Sequence, residues 1–271
     1  MKPIISVIVT CYNYAPYVAE CLTSIAQQTF TDWECLVVDD GSTDDSKSNI
    51  LPFVENDPRF HYIWQENGNV SSARNNGLNR ANGEYVISID ADDKISGNFL
   101  SSMLERMEKQ PELTLVYPEV HYFGEMKGLW VLPDYSFVDM LGNNMIVVSA
   151  LHRKKDFERI GGYDVNMKTG SEDWEYWIRL LADNRQVAKE PTAILYYRIK
   201  PGSKHVSLLS DQHKRTEMYR YISRKHQSVY NEYFESPLVL HNDLLMREHN
   251  YFHHPFRTWY AKILSKLKEK F

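Results

Sequence analysis

The chain has 271 residues, 43% of them apolar, enough for one large folded domain or a domain with a tail. Its net charge of −5 removes any global electrostatic reason to bind nucleic acid. Cys11, Cys21 and Cys35 lack a Cys-x-x-Cys spacing and fit reduced core thiols in a cytosolic protein better than disulfides or zinc; no apolar run approaches the roughly 20 residues of a membrane span, and Ile4 to Val9 is too short for a signal-peptide core.

Ile4 to Thr10 is a continuous apolar run, the pattern of a parallel strand buried on both faces. After the polar break Tyr12-Asn13-Tyr14, a helix is predicted from Pro16, with Val18, Cys21, Leu22 and Ile25 on one face, ending near Gln28 and Thr29. Trp33 to Val38 reads as a second buried strand and runs into Asp39-Asp40-Gly41-Ser42. Residues 43–60 suggest a short helix with a turn around Pro52 and Pro58, and His61 to Trp64 a third strand. Ser71 to Arg80 reads as a helix burying Ala73, Gly77 and Leu78; Asn82-Gly83 then leads into the strand Glu84 to Asp90. Leu100, Met103, Leu104 and Met107 mark another helix, stopped by Pro111. Alternating strands and helices over residues 1–111 predict an open α/β sheet with helices on its faces.

Beyond residue 112 the pattern changes. Strand-like runs at Leu113 to Tyr117, Val120 to Phe123, Leu129 to Leu132 and Ile146 to Leu151 are broken by Pro118, Gly124, Pro133 and Gly142, which predicts mixed or antiparallel strands. Gly161-Gly162-Tyr163 reads as a turn. Ser171-Glu172-Asp173 opens a helix carrying Trp174, Trp177, Ile178 and Leu181 on one face, and strands follow at Gln186 to Lys189 and Ala193 to Ile199. Residues 206–271 read as a polar helical tail. Its last stretch, 256–271, carries five basic residues against one Glu, with aromatic and aliphatic residues mostly on one side. A membrane-surface helix, a helix packed on its own domain, and a helix packed on a second subunit in a homodimer all stay open.

Asp90, Asp92 and Asp93 place three carboxylates in four positions. Such groups repel one another, so they either fan into water, as in an ordinary polar turn or helix cap, or share a cation. Oxygen ligands of this kind suit Mg²⁺ or Mn²⁺ bridging to substrate phosphates. In an open α/β sheet ligands bind beyond the C-terminal strand ends. That rule gathers Thr10 to Asn13, Asp39 to Ser42 and Asp90 to Asp93. A Gly-x-Gly-x-x-Gly turn and a Walker loop are both missing after the first strand, which argues against a dehydrogenase and a P-loop ATPase.

These pieces together resemble family 2 glycosyltransferases of the GT-A fold, the bacterial group that builds polysaccharide and lipopolysaccharide. The resemblance rests on Ser6-Val-Ile-Val-Thr-Cys-Tyr-Asn13, Gln27-Gln-Thr-Phe30, Glu34 to Ser42, Gly68-Asn-Val-Ser-Ser-Ala-Arg-Asn75, Asp90-Ala-Asp-Asp93, Gly161-Gly-Tyr163 and Glu172-Asp-Trp174, in family order over residues 4–200. It implies a Rossmann-like open mixed sheet flanked by helices over 1–205, with a nucleotide-binding half (1–111) and an acceptor-binding half (112–205), and a helical extension over 206–271.

The resemblance also implies chemistry: inverting transfer of a sugar from a nucleotide-diphosphate donor, a UDP-sugar by preference, to a hydroxyl of a glycan or lipid-linked acceptor. Tyr12 would stack on the base, Asp40 accept from the uracil imide, and Arg74 lie near the base or diphosphate. Thr10 and Asn13 would shape the backbone around the nucleotide. Asp92 would bind the divalent metal, Mn²⁺ or Mg²⁺, with Asp90 on the ribose or the metal's waters and His205 as a further metal ligand or a diphosphate contact. Asp173 would be the general base, ionised at neutral pH because a helix start lowers a carboxylate's pKa. Asp93 would face the acceptor or simply cap the next turn, Glu172 would orient the acceptor or the loop, and Arg198, Lys200 and Lys204 would make a basic lid. Trp130, Trp174 and Trp177 are candidates for stacking on a sugar, although core packing explains the last two. The expected location is the cytoplasm, either free or at the inner face of the cell membrane. Open alternatives are a nucleotidyltransferase and a catalytically idle scaffold subunit.

Overall fold

The computed structural model describes residues 2–168, 170–200 and 211–234. Four parallel strands form its first half: β1 (Ile5–Cys11), β2 (Trp33–Asp39), β3 (Phe60–Trp64) and β4 (Tyr85–Asp90). Helices α1 (Val18–Ala26), α2 (Ser46–Asn56) and α3 (Val70–Arg80) connect them. After β4 come β5 (Lys94–Ile95), α4 (Phe99–Lys109), β6 (Leu115–Gly124), β7 (Gly128–Trp130), α5 (Phe137–Gly142), β8 (Leu151–Arg153), α6 (Lys154–Ile160), α7 (Glu172–Leu180), β9 (Val187–Ile199), α8 (Gln212–Lys225) and α9 (Gln227–Tyr233). The strands make one mixed sheet in the order β3-β2-β1-β4-β8-β6-β9-β5, with β7 on β6. The described residues up to Arg220 belong to one compact unit; those after it belong to a second.

The expected reason for this architecture holds. β1 and β2 are buried at every position, so an unbroken apolar run covers both faces. One face packs on α1 through Val18, Cys21, Leu22 and Ile25 and on α4 through Phe99, Leu100, Met103 and Met107. Each such side chain contributes about 1.5–3 kcal/mol on burial. The other face lies close to α3: a Cβ on Gly77 would sit 2.5 Å from Ile8 Cγ2, so only glycine permits that approach. All three cysteines are free thiols in the core.

The second half departs from the sequence expectation where proline was taken as a breaker. Pro118 lies inside β6, at a register shift against β9. On the opposite edge β6 changes partner there, from β8 at Leu115 and Val116 to β7 at Val120 to Tyr122, so the missing N–H costs no ladder bond. β9 is likewise one strand through Pro191 rather than two, and α2 runs through Pro52. Ile146 to Ala150 is irregular, with strand only from Leu151. The short helices α5 and α6, and the two-residue β5, carry too little periodicity to be read from sequence.

Candidate active site

The parallel register brings the polar strand ends together. Thr10 lies opposite Asp90, and Cys11 opposite Asp39. Around them opens a cleft of about 550 Å³, lined among others by Thr10, Tyr12, Tyr14, Asp40, Arg74, Asp90 and Glu172. Tyr12 presents 46% of its surface, a free ring at the cleft wall. Asn13 takes a left-handed φ of 56°, and its side-chain oxygen accepts from Thr43 N at 2.8 Å, so it shapes the turn. Asp40 is buried: Oδ1 accepts from Gln65 Nε2 at 2.6 Å and from Gly68 N at 2.9 Å, and Oδ2 from Asn67 Nδ2 at 3.3 Å. The loop Gln65 to Asn69 thus clamps Asp40, and Asn69 caps α3 through Ser72 N.

Arg74 is neither a surface arginine nor a free cation. Its Nη2 donates to Asp90 Oδ1 at 2.8 Å and its Nη1 to Glu172 Oε1 at 2.6 Å, with 2% of the residue exposed. Glu172 is therefore held by Arg74, and it lines the cleft as well. Asn75, next along α3, grips the Gly161-Gly162-Tyr163 turn: Nδ2 donates to Tyr163 O at 2.8 Å, and Oδ1 accepts from Tyr163 N at 2.7 Å. A Cβ on Gly162 would meet that Oδ1 at 2.6 Å. Glycine is required there by contact as well as by its φ of 82°. Two motifs nearly ninety residues apart thus form one joint.

Asp173 lies in a second cleft of about 270 Å³, with Asn144, Trp130 and Tyr197 in its wall. Both clefts share Arg74, Asp90, Gly170 and Glu172 as lining, so they adjoin. Asp173 Oδ2 accepts from Asn144 Nδ2 at 3.0 Å, and Oδ1 from Trp174 N at 2.8 Å. Burial, then the neighbouring Glu172 charge, push its pKa up to about 7, against the lowering pull of Arg74 and the two hydrogen bonds. The expectation of a carboxylate depressed by the helix start is corrected: desolvation outweighs the dipole. Trp174 and Trp177 are core residues, their indole N–H groups donating to Met140 O and Ile146 O. Trp130 stacks on Tyr122 at 5.2 Å beside the cleft.

At the end of β4, Asp93 is 2% exposed and accepts from Arg198 N at 2.9 Å, so it anchors β9; it also lines the cleft that holds Asp173. Arg198 also donates from Nε to Asp92 O at 2.7 Å and pairs with Glu20, which makes it a strap across the Asp-x-Asp loop, not a lid residue. Asp92 Oδ2 meets Lys200 Nζ at 2.6 Å. Burial, then neighbouring carboxylate charge, raise the pKa of both Asp92 and Asp93. Among the described residues no three His, Cys, Asp or Glu side chains converge as a metal cage. The oxygen donors and their uncomfortable negative charge fit an ion that brings phosphate and water ligands of its own. His205, Lys204 and the helix expected over 256–271 lie outside the described residues.

Sequence reasoning missed Asn144, Lys200 as a partner of Asp92, and the clamp of Gln65, Asn67 and Gly68. None carries a local signal, because each acts through a contact remote in sequence.

Comparison with known proteins decides the family. The sequence profile described as Glycosyl transferase family 2 matches residues 6–166, more than half of the chain. The chain belongs to glycosyl transferase family 2. Glycosyltransferase GlyA of Streptococcus pneumoniae is 35% identical over 158 residues, 57% of this chain and 22% of its own length. The putative teichuronic acid biosynthesis glycosyltransferase TuaG of Bacillus subtilis is 37% identical over 107 residues, 39% of this chain and 42% of its own length. The chain thus spans less than half of these relatives. In structure, S. aureus TarS 1–349 in complex with UDP-GlcNAc superposes with a TM-score of 0.66 at 19% identity, over 83% of this chain and 73% of that one. The mannosyltransferase PcManGT from Pyrobaculum calidifontis, in complex with GDP-Man and Mn²⁺, gives 0.61 at 19% identity over 96% and 83%. The curled mixed sheet with flanking helices is the GT-A fold.

Proposed function

We propose that this family 2 member is an inverting glycosyltransferase that moves a sugar from a nucleotide-diphosphate donor, UDP-linked by preference, to a hydroxyl of a bacterial glycan or lipid-linked saccharide. One observation carries the reading: the cleft at the strand ends and the cleft holding Asp173 adjoin through Arg74, Asp90 and Glu172. A donor and an acceptor can therefore meet with a carboxylate on the acceptor side. The exposed ring of Tyr12 supplies a face for the base, and buried Asp40 holds the loop that borders it.

Asp173 takes the acceptor hydroxyl's proton as the new glycosidic bond forms and the diphosphate leaves. A base with a pKa of about 7 matches that task near neutral pH. Asn144 orients its carboxylate toward the cleft, and the Arg74–Glu172 pair holds the first turn of α7 in place. A divalent ion, held by Asp92 with support from Asp90, would supply Lewis-acid stabilisation of the departing diphosphate. Relatives named for teichuronic acid and chondroitin synthesis, and structural neighbours in complex with UDP-GlcNAc or GDP-Man, favour this class of donor and product.

The test is a thermal-shift screen of nucleotide sugars with Mn²⁺, followed by nucleotide release from the best donor by wild type and by Asp173→Asn. Stabilisation by one UDP-sugar, with release lost in the variant, is expected. No stabilisation by any nucleotide sugar would overturn the proposal.

A further inference from the structure

Asp90, Asp92 and Asp93 crowd one loop, yet each has a positive or N–H partner inside the protein. Arg74 takes Asp90, the Arg198 backbone N–H takes Asp93, and Lys200 Nζ takes Asp92 at 2.6 Å. The Lys200 contact is built. The ammonium also lies 3.8 Å from the ring centre of Tyr14 and 4.8 Å from that of Tyr17, on the faces where a cation is attracted. Lys200 and Asp92 are both mostly buried, their side chains 17% and 14% exposed. β9 is fastened at this end by Arg198 to Asp92 O and Glu20, and by β5, which pairs Lys94 with Tyr196. The lysine is thus delivered to Asp92 by a fastened strand.

We infer that Lys200 is an internal counter-cation that occupies the metal-binding carboxylate of the donor-free protein and must be displaced before a divalent ion binds Asp92. The inference rests on the proposed metal role of Asp92. Two cations cannot share one carboxylate oxygen at contact distance without strong repulsion. While the pair is closed the site is unavailable, and the apparent metal affinity falls by the fraction of time that it is open. Displacement frees an ammonium beside Tyr14, a residue that lines the larger cleft, as the ion and its phosphates arrive. Binding of ion and donor is thereby coupled to release of Lys200, while Arg198 keeps the end of β9 fastened.

The experiment is Mn²⁺ binding followed by electron paramagnetic resonance of the free ion, with saturating UDP, for wild type, Lys200→Met and Asp92→Asn. Lys200→Met is expected to bind Mn²⁺ about tenfold more tightly than wild type, the value for a site closed nine-tenths of the time, while Asp92→Asn loses binding. In thermal melts without metal, Lys200→Met should unfold below wild type and regain the loss on adding Mn²⁺, because the ion then replaces the missing ammonium. Equal or weaker binding by Lys200→Met, with binding still lost in Asp92→Asn, overturns the inference and leaves the metal role of Asp92 intact. Undiminished binding by Asp92→Asn, or no binding by any of the three proteins, overturns both.

Discussion

Arg74 and Glu172 form a buried ion pair, Nη1 to Oε1 at 2.6 Å, although 98 residues separate them in the chain. The pair joins α3, in the parallel half of the sheet, to the first turn of α7, which carries Asp173. The same guanidinium holds Asp90 at 2.8 Å, so one cation sets the spacing of both clefts.

Removing that cation leaves two carboxylates without their counter-charge. Arg74→Met is expected to lose about 3–5 kcal/mol of stability in urea denaturation, the usual cost of breaking a buried pair. Arg74→Lys should recover only part, because an ammonium cannot fork to Asp90 and Glu172 at once. Full stability in Arg74→Met would show that the pair does not hold the two halves together.

The pH dependence follows from Asp173. Its pKa in the fold is about 7, raised from 3.8, and only the ionised form accepts a proton. Acceptor turnover should therefore climb about tenfold per pH unit below 7 and level off above it. Asn144→Ala removes a hydrogen bond that lowers this pKa, so its rising limb should lie at higher pH. A profile flat from pH 5 to 8 (roughly two units below to one above that pKa) would remove Asp173 as the base.

Stability has the opposite sign. Between 3.8 and about 7 the unfolded chain has released the Asp173 proton and the folded chain still holds it, so this group lowers stability as pH rises through that window. Above it the cost is constant. Asp173→Asn cannot ionise and should melt no lower than wild type at pH 8, while its turnover falls by about 10²–10⁴. Donor binding in calorimetry should stay near the wild-type value.

Gly161 and Gly162 both have positive φ, but only Gly162 is crowded. Gly161→Ala should cost about 1–2 kcal/mol, the conformational price alone. Gly162→Ala should cost clearly more, since its new methyl meets Asn75 Oδ1 at 2.6 Å and Phe157 at 3.1 Å. Comparing the two denaturation midpoints checks this directly.

Tyr12 has an exposed ring with no packing duty in the core. Tyr12→Ala should weaken UDP binding by about 1 kcal/mol, near fivefold, with little change in melting temperature. Tyr12→Phe keeps the ring face and should bind like wild type. Equal affinities across all three proteins would move the base elsewhere in the cleft.

The linear chain by itself determined the parallel half: runs such as Ile5 to Cys11, apolar at nearly every position, can only be strands buried on both faces, and α1 and α4 follow from residues three and four apart. It also placed Tyr12, Asp40, Asp90 and Asp173 at cleft walls or beside them, because ligands gather at strand ends and acids at helix starts. Tertiary structure alone decided how charge is shared there. Whether Arg74 is a free cation, whether Asp173 sits near 3.8 or 7, and whether Asp92 has a lysine beside it depend on desolvation and on partners up to about a hundred residues away. Those quantities fall off with distance in space, and no local pattern encodes that distance.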